Sequence, residues 1–224
     1  MKATIPGSTD PPGNVLLKKA LLVCGILSSL LYVGTDILAG MLWKGYSFTD
    51  QAISELSAIG APTRPLVAPL LTIYIVLLLA FGFGVWRSAG RNRALRVTGG
   101  LWIVIALVGL AWTPFPMHLG EPLGSFANTV HSIFAGIQVL STLLAIGFGA
   151  VAYHNWFRFY SIGTILTLLS AGLVGFWLAA AQGEIAPPHW FGVIERINVY
   201  GYLQWVAVLA IVLLQTERGT AGKQ

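Results

Sequence analysis

Six long apolar runs alternate with short polar stretches along the chain. The runs cover 16–43, 65–86, 97–117, 126–152, 159–181 and 194–215. Each holds the roughly 20 apolar residues that a helix needs to cross a bilayer. Between them lie a long loop (44–64), a basic loop (87–96), a short loop (118–125), a tight turn (153–158) and a polar loop (182–193). Runs this long do not read as the short alternating strands of a membrane barrel. The first is also too long for the core of a cleavable signal. The pattern predicts an all-α fold, a polytopic membrane protein built as a six-transmembrane-helix bundle. One domain covers 15–216. Residues 1–14, rich in Pro, Gly and polar side chains, read as a flexible cytoplasmic tail, and 217–224 as a second.

The loop after the first run, GYSFTDQAISELSAIGAPTRP at 45–65, has a pattern of its own. Ser47 with Asp50 three residues on resembles a capping box. Phe48, Ala52, Leu56 and Ile59 then recur at helical spacing, which predicts a short amphipathic helix over 48–59. Gly60 is placed to stop it, and Pro62 and Pro65 prevent its continuation. Such a helix would lie in the interface or fold over the bundle mouth. Its polar face carries Gln51, Ser54 and Glu55.

Composition strengthens the membrane reading. The chain has 224 residues, of which 56% are hydrophobic and 9% charged. Soluble domains carry about 25% charged residues. The mean hydropathy is +0.76. The single cysteine, Cys24, excludes an internal disulfide and a thiolate cluster, and reads as a small packing residue.

Charge then orients the bundle. Ten of the thirteen Lys and Arg fall on the side of the two termini, with only Asp10 and Glu217 among the acids. Lys44, Arg64 and Arg196 fall on the other side with the remaining six acids. The positive-inside rule makes both termini cytoplasmic in a multi-pass inner (plasma) membrane protein. Anionic headgroups account for the basic face, so no nucleic acid partner is needed.

The candidate chemistry gathers on the opposite, outer side. Asp36 lies about seven residues before the end of the first run, ~10 Å deep at 1.5 Å per residue. His131 lies about five residues into the fourth run, ~8 Å deep. Ionisable groups at such depth usually face an interior or a cavity. Polar stripes with helical rhythm mark three runs: Ser28, Tyr32 and Asp36; Asn128, His131, Gln138 and Thr142; Glu195, Asn198 and Tyr202. Stripes of this kind must face protein or water rather than lipid, so the three are expected to turn inward. Many such residues serve only as hydrogen bonds between helices, typically ~0.6 kcal/mol each. Glu195 and Arg196 point about 100° apart on a helix and are expected to pair with different partners. Arg64 or Lys44 could clamp one of the acids. Trp43, Trp112, Trp190, Tyr46 and Tyr200 fit an aromatic belt at the outer boundary, and His154 with Arg158 sits in the inner turn.

Specific motifs are few. His118, His131 and His189 with nearby carboxylates could approach a metal, but no HExxH, HxxxH or CxxC spacing exists, and no metal is assigned. A haem would need two facing histidines within helices, and only His131 is within one. Ser54 or Ser57 could pair with His131 and an acid, yet no GxSxG is present. The sequence names no cofactor.

The stretches LLYVGTDILAG, GYSFTDQAISELSAIGAPTRP, the FPM of TPFPMH, NTVHSIFAGIQ and ERINVYGYLQW, in this order, resemble a prokaryotic integral-membrane family known as domain of unknown function 998. The resemblance covers nearly the whole chain. It implies six helices and no settled function, and it carries over Ser54, Glu55, His131, Glu195 and Arg196. His118 stands where that family often has an acid, which weakens a metal role there.

The leading functional expectation is a polar site open to the outer leaflet that binds or processes a lipid-like or small amphipathic molecule. Its catalytic candidates are His131, Asp36 and Glu55. Its ligand-binding candidates are Ser54, Asn128, Gln138, Glu195, Arg196 and Tyr202. The expected partners are membrane lipid and such a ligand. The alternatives are a small-solute or proton-coupled transporter and a non-catalytic membrane scaffold.

Overall fold

A computed structural model describes residues 12–122, 124–153, 156–182 and 189–221. Six helices follow the six apolar runs: α1 (Pro12–Leu42), α2 (Arg64–Ser88), α3 (Arg93–Trp112), α4 (Phe126–Ala152), α5 (Trp156–Gln182) and α6 (Phe191–Ala221). All six are long and apolar enough to cross a membrane. The third stops at Trp112, five residues before the expected 117. There Pro114 and Pro116 withdraw backbone donors, and the chain closes a turn through Phe115 N–H to the Trp112 carbonyl. The described parts of both expected tails, 12–14 and 217–221, are helical. Two further polar residues singled out by the sequence pattern, His154 and Glu184, lie outside the described residues.

Local chemistry sets the helix ends. Asn92 caps α3 by accepting from Leu95 N–H at 3.0 Å. Its amide also donates to the Ala152 carbonyl at the end of α4, at 3.0 Å, and so joins the two helices at one end of the bundle. Ser125 caps α4 through Asn128 N–H at 3.3 Å.

The helices pack in a closed ring, each against the next and α6 back against α1. Of these neighbouring pairs, α4 and α5 meet least extensively. The middle is filled by large aromatics. Trp102, Trp205, Phe81 and Phe157 are almost wholly buried. Trp102 and Trp205 stack with centroids 6.1 Å apart, and the Trp205 indole donates to the Ser161 hydroxyl at 2.9 Å. Gly149 admits the Trp205 ring, because a Cβ there would lie 2.5 Å from it.

The 44–63 segment caps one end of the ring, called here the capped end. It does not form the helix expected over 48–59. A first turn closes where Gln51 N–H donates to the Ser47 carbonyl at 2.8 Å and Asp50 N–H to the Ser47 hydroxyl at 3.2 Å. The chain then extends at Ala52 (φ −68°, ψ 150°), and only Ile53–Ser57 winds into a 3-10 helix. Glu55 is the cause. Its carboxylate accepts from Ala52 N–H at 2.9 Å and from the Gln51 amide at 2.8 Å, which fixes a fresh helix start at Ala52. The apolar residues consequently part company. Leu56 is fully buried on Ala39, Ile53 and Val67, while Ile59 is 43% exposed. Gly60 does terminate the segment, with a φ of +94° that other residues adopt rarely. Ile59 forms an isolated backbone bridge to the loop after α3, donating to Met117 and accepting from Leu119.

Candidate functional site

Two structures meet beneath this cap: an ionic clamp and a cavity. The clamp joins α1, α6 and the 44–63 segment. Asp36 is 2% exposed and accepts two parallel bonds from Arg196, Nε at 3.0 Å and Nη2 at 2.9 Å. Tyr200 donates a third at 2.5 Å. The rest of the guanidinium serves the cap. Its Nη1 donates to the carbonyls of Phe48, Gln51 and Gly192 at 2.9, 3.1 and 3.0 Å, and its Nη2 to the Tyr46 hydroxyl at 2.7 Å. It also lies over the Phe48 ring at 5.0 Å. A planar fork with five donors suits this task, which a lysine could not perform. Outside the spans, burial pushes the Tyr46 hydroxyl well above its ordinary pKa despite the guanidinium. Tyr46 stays a neutral donor and gives its proton to the Ala52 carbonyl at 2.8 Å.

The cavity lies inside the ring and holds about 500 Å³. That falls within the ~300–1,000 Å³ typical of small-molecule sites. All six helices and the 53–57 helix contribute to its wall, which is mostly apolar. The polar groups on it include several whose hydrogen-bonding capacity is open. Glu195 accepts from Ile53 N–H at 2.5 Å through Oε2, and its Oε1 has no protein partner among the described residues. Gln138 Oε1 is buried with no hydrogen-bond partner among the described residues. Arg64, expected to clamp an acid, instead donates to the Ser57 carbonyl at 2.5 Å and lines the cavity near the cap.

The three polar stripes thus turn to one cavity in large part. Asp36, Ser54, His131, Gln138, Glu195 and Tyr202 all line it, with Tyr32, Thr142 and Asn198. Glu55, Asn128 and Arg196 do not. Glu55 ties down the cap, as described. His131 is not beside Asp36 or Glu55 as a charge relay would need. Its Nδ1 accepts from the Trp112 indole at 3.0 Å. Tyr202 shares a bond with Tyr74, hydroxyl to hydroxyl at 3.2 Å. Ser54 reaches only the Met117 sulfur, at 3.7 Å. Glu195 and Arg196 do take different partners, as their divergence on the helix requires.

Asn128 organises the neighbouring loop. Its Oδ1 accepts from His118 N–H at 3.0 Å, and its amide donates to the Glu121 and Pro122 carbonyls at 3.2 Å each. Asn128→Ala is expected to destabilise the protein by about 1–3 kcal/mol, the cost of leaving buried backbone groups unpaired. It should also speed limited proteolysis between 113 and 125. Unchanged cleavage there would show that the loop is held by other contacts.

His118 is partly exposed and His189 largely so. His118 pairs with Glu121 at 2.9 Å and His189 with Asp50 at 3.0 Å. The Ser47 hydroxyl, then the Trp190 N–H and His189, hold the Asp50 carboxyl below its ordinary pKa. Ser125 and His118 do the same for Glu121. Among the described residues no three His, Cys, Asp or Glu side chains gather as a metal set.

Sequence reasoning assigned Tyr46, Tyr200 and Trp112 to a membrane belt, whereas they bond to Arg196, Asp36 and His131. One signal was available: Tyr200 stands four residues after Arg196, on the same helix face. Nothing in the sequence marked Tyr46.

No curated protein and no solved structure matches the chain. The sequence profile of a family described as a protein of unknown function (DUF998) matches residues 26–212, a span that contains the clamp, the cap and the cavity. The chain belongs to that family.

Proposed function

We propose that this membrane protein binds a lipid-like or small amphipathic molecule in the cavity, with the capped end facing outward and both termini in the cytoplasm. One observation carries the reading: a roomy, mostly apolar cavity that holds polar groups with open hydrogen-bonding capacity. Such a combination suits a molecule with a polar head and an apolar body. The shape of the wall supports entry from the side. Val139 and Phe176 line the cavity and are 53% and 74% exposed, at the least extensive of the helix seams, between α4 and α5. The Trp102–Trp205 stack fills the ring beyond Tyr202, which favours a binding site over a path through the bundle. The charge asymmetry supports the orientation.

The geometry favours binding over chemistry on the ligand. The Nδ1 of His131 is taken by the Trp112 indole, and the Asp36 carboxylate is given over to Arg196 and Tyr200. Glu195 is the acid on the wall best placed to touch a ligand.

The test is mass spectrometry of lipid that stays with the purified protein. A Cβ at Gly172, which lines the cavity on α5, would meet nothing within 4 Å, so Gly172→Trp is the variant chosen to fill space there. The wild type is expected to retain one amphipathic species that Gly172→Trp, folded to the same degree, loses. An identical lipid profile in both proteins would defeat the proposal.

A further inference from the structure

The geometry points to the chemical class of the ligand: an amphiphile whose head is a protonated amine with N–H donors, seated between Glu195 and Gln138. This rests on the amphiphile reading above and adds the identity of the head.

Charge comes first. Three acids surround the site. Asp36 has Arg196 as its counter-ion. Glu55 forms no ion pair among the described residues, but both of its oxygens accept hydrogen bonds from the cap. Glu195 accepts from one backbone N–H and forms no ion pair among the described residues; the positive charge that acts on it is that of the adjacent Arg196. Its neighbour Arg196 is turned away to Asp36 and the cap. A carboxylate in an apolar cavity is costly without a cation or further donors. Glu195 is the group on this wall that a cationic ligand would complete.

Register comes second. α4 and α6 both run from the capped end toward the other end of the ring, so they are parallel. Gly149 on α4 lies against the Trp205 ring of α6. Stepping back eleven residues from Gly149 reaches Gln138, and ten from Trp205 reaches Glu195. The two side chains therefore stand at one level, within about a helical turn. α5 agrees: a Cβ on Gly175 would lie 3.2 Å from Ile194, the residue before Glu195. Phe176 and Val139, at the exposed seam, thus share this level. A head held by Glu195 and Gln138 would have its tail directed out between α4 and α5.

Hydrogen bonding comes third and selects among cations. Among the described residues Gln138 Oε1 is buried without a donor, and Glu195 accepts only from Ile53 N–H, through Oε2. A primary ammonium supplies charge and donors to both. A quaternary ammonium supplies charge alone. A neutral alcohol supplies one donor and no charge. An anionic head meets a carboxylate.

The experiment uses the full chain in phosphatidylcholine nanodiscs, read by native mass spectrometry. The probes are dodecylamine, dodecyltrimethylammonium, dodecanol and dodecyl phosphate, each added alone, and phosphatidylethanolamine in a parallel arm. Dodecylamine is expected to bind about tenfold or more tightly than the quaternary amine or the alcohol, the scale of a lost charge-assisted bond. Glu195→Gln should erase that preference. Its amide oxygen can still accept from Ile53 N–H, so the fold is retained. Gln138→Leu should weaken dodecylamine and leave dodecanol unchanged. Retention of phosphatidylethanolamine would assign the amine to a lipid headgroup, and retention of dodecylamine alone to a free amine. If alcohol and amine bind equally and both are lost in Gly172→Trp, the amphiphile reading stands and the amine is overturned. If no probe binds, both readings fall. Binding of dodecylamine that Glu195→Gln leaves unaltered would also overturn the amine site.

Discussion

Asp36→Ala is expected to lower the stability of the folded protein by about 3–5 kcal/mol, because it strips a buried arginine of its counter-ion. The sign follows from burial. Asp36 is 2% exposed and the Arg196 side chain 11%. Neither charge can be hydrated by bulk water when its partner is removed. Arg196 would keep its bonds to the Phe48, Gln51 and Gly192 carbonyls, so the cap would not simply fall away. The uncompensated charge remains in place and carries the penalty. For a chain of this size about 1 kcal/mol shifts the midpoint by ~2–4 °C, so a fall on the order of 10 °C in detergent is expected. Asp36→Asn should fall between wild type and Asp36→Ala, since an amide oxygen still accepts one bond. Removing both charges, Asp36→Leu with Arg196→Met, should recover part of the loss, because a buried pair replaced by apolar groups leaves no orphan. A midpoint for Asp36→Ala within ~2 °C of wild type would mean that the pair is solvated and the clamp is not structural.

This result separates two things that the sequence runs together. Depth alone made Asp36 and His131 candidates for chemistry. A buried acid and a buried histidine look the same from the sequence whether they serve a ligand or a fold. What distinguishes them is whether another group satisfies them, and that depends on contacts far apart in the chain. Arg196 lies 160 residues from Asp36. The six spans were legible because 20 apolar residues in a row have few other fates. The inward stripes on α1, α4 and α6 were legible because lipid excludes polar faces. The cap was only partly legible. Its 3.6-residue apolar rhythm was real, but Glu55 folds back on Ala52 N–H and restarts the chain there, which a count of apolar spacing does not register. Glu195 and Arg196, both expected to bind a ligand, divide: Glu195 lines the cavity, while Arg196 is turned to Asp36 on α1.

Gly192→Ala is the second large effect, and here two forces oppose each other. In a helix interior alanine is favoured over glycine by about 1 kcal/mol. Gly192 is the second residue of α6, so only part of that gain applies. The added Cβ, however, would lie 2.4 Å from the Gln51 carbonyl oxygen and 2.6 Å from that of Phe48. Both are backbone atoms, so no side-chain rotation relieves the contact. Both also accept from Arg196 Nη1, which would itself lie 3.0 Å from the new methyl. The 44–63 segment must therefore lift off α6, and in lifting it loosens the hydrogen bonds that hold it. Overpacking of this kind typically costs about 1–3 kcal/mol, and here the loss of the Arg196 bonds adds to it. The clash wins, and a net loss of about 3 kcal/mol is expected. The cap should become sensitive to protease between 44 and 63, and the mouth of the cavity should open. Thermal unfolding and timed proteolysis read both. A stabilised Gly192→Ala protein with an uncut cap would show that the 44–63 segment does not rest on α6, and the clamp geometry built on that contact would have to be redrawn.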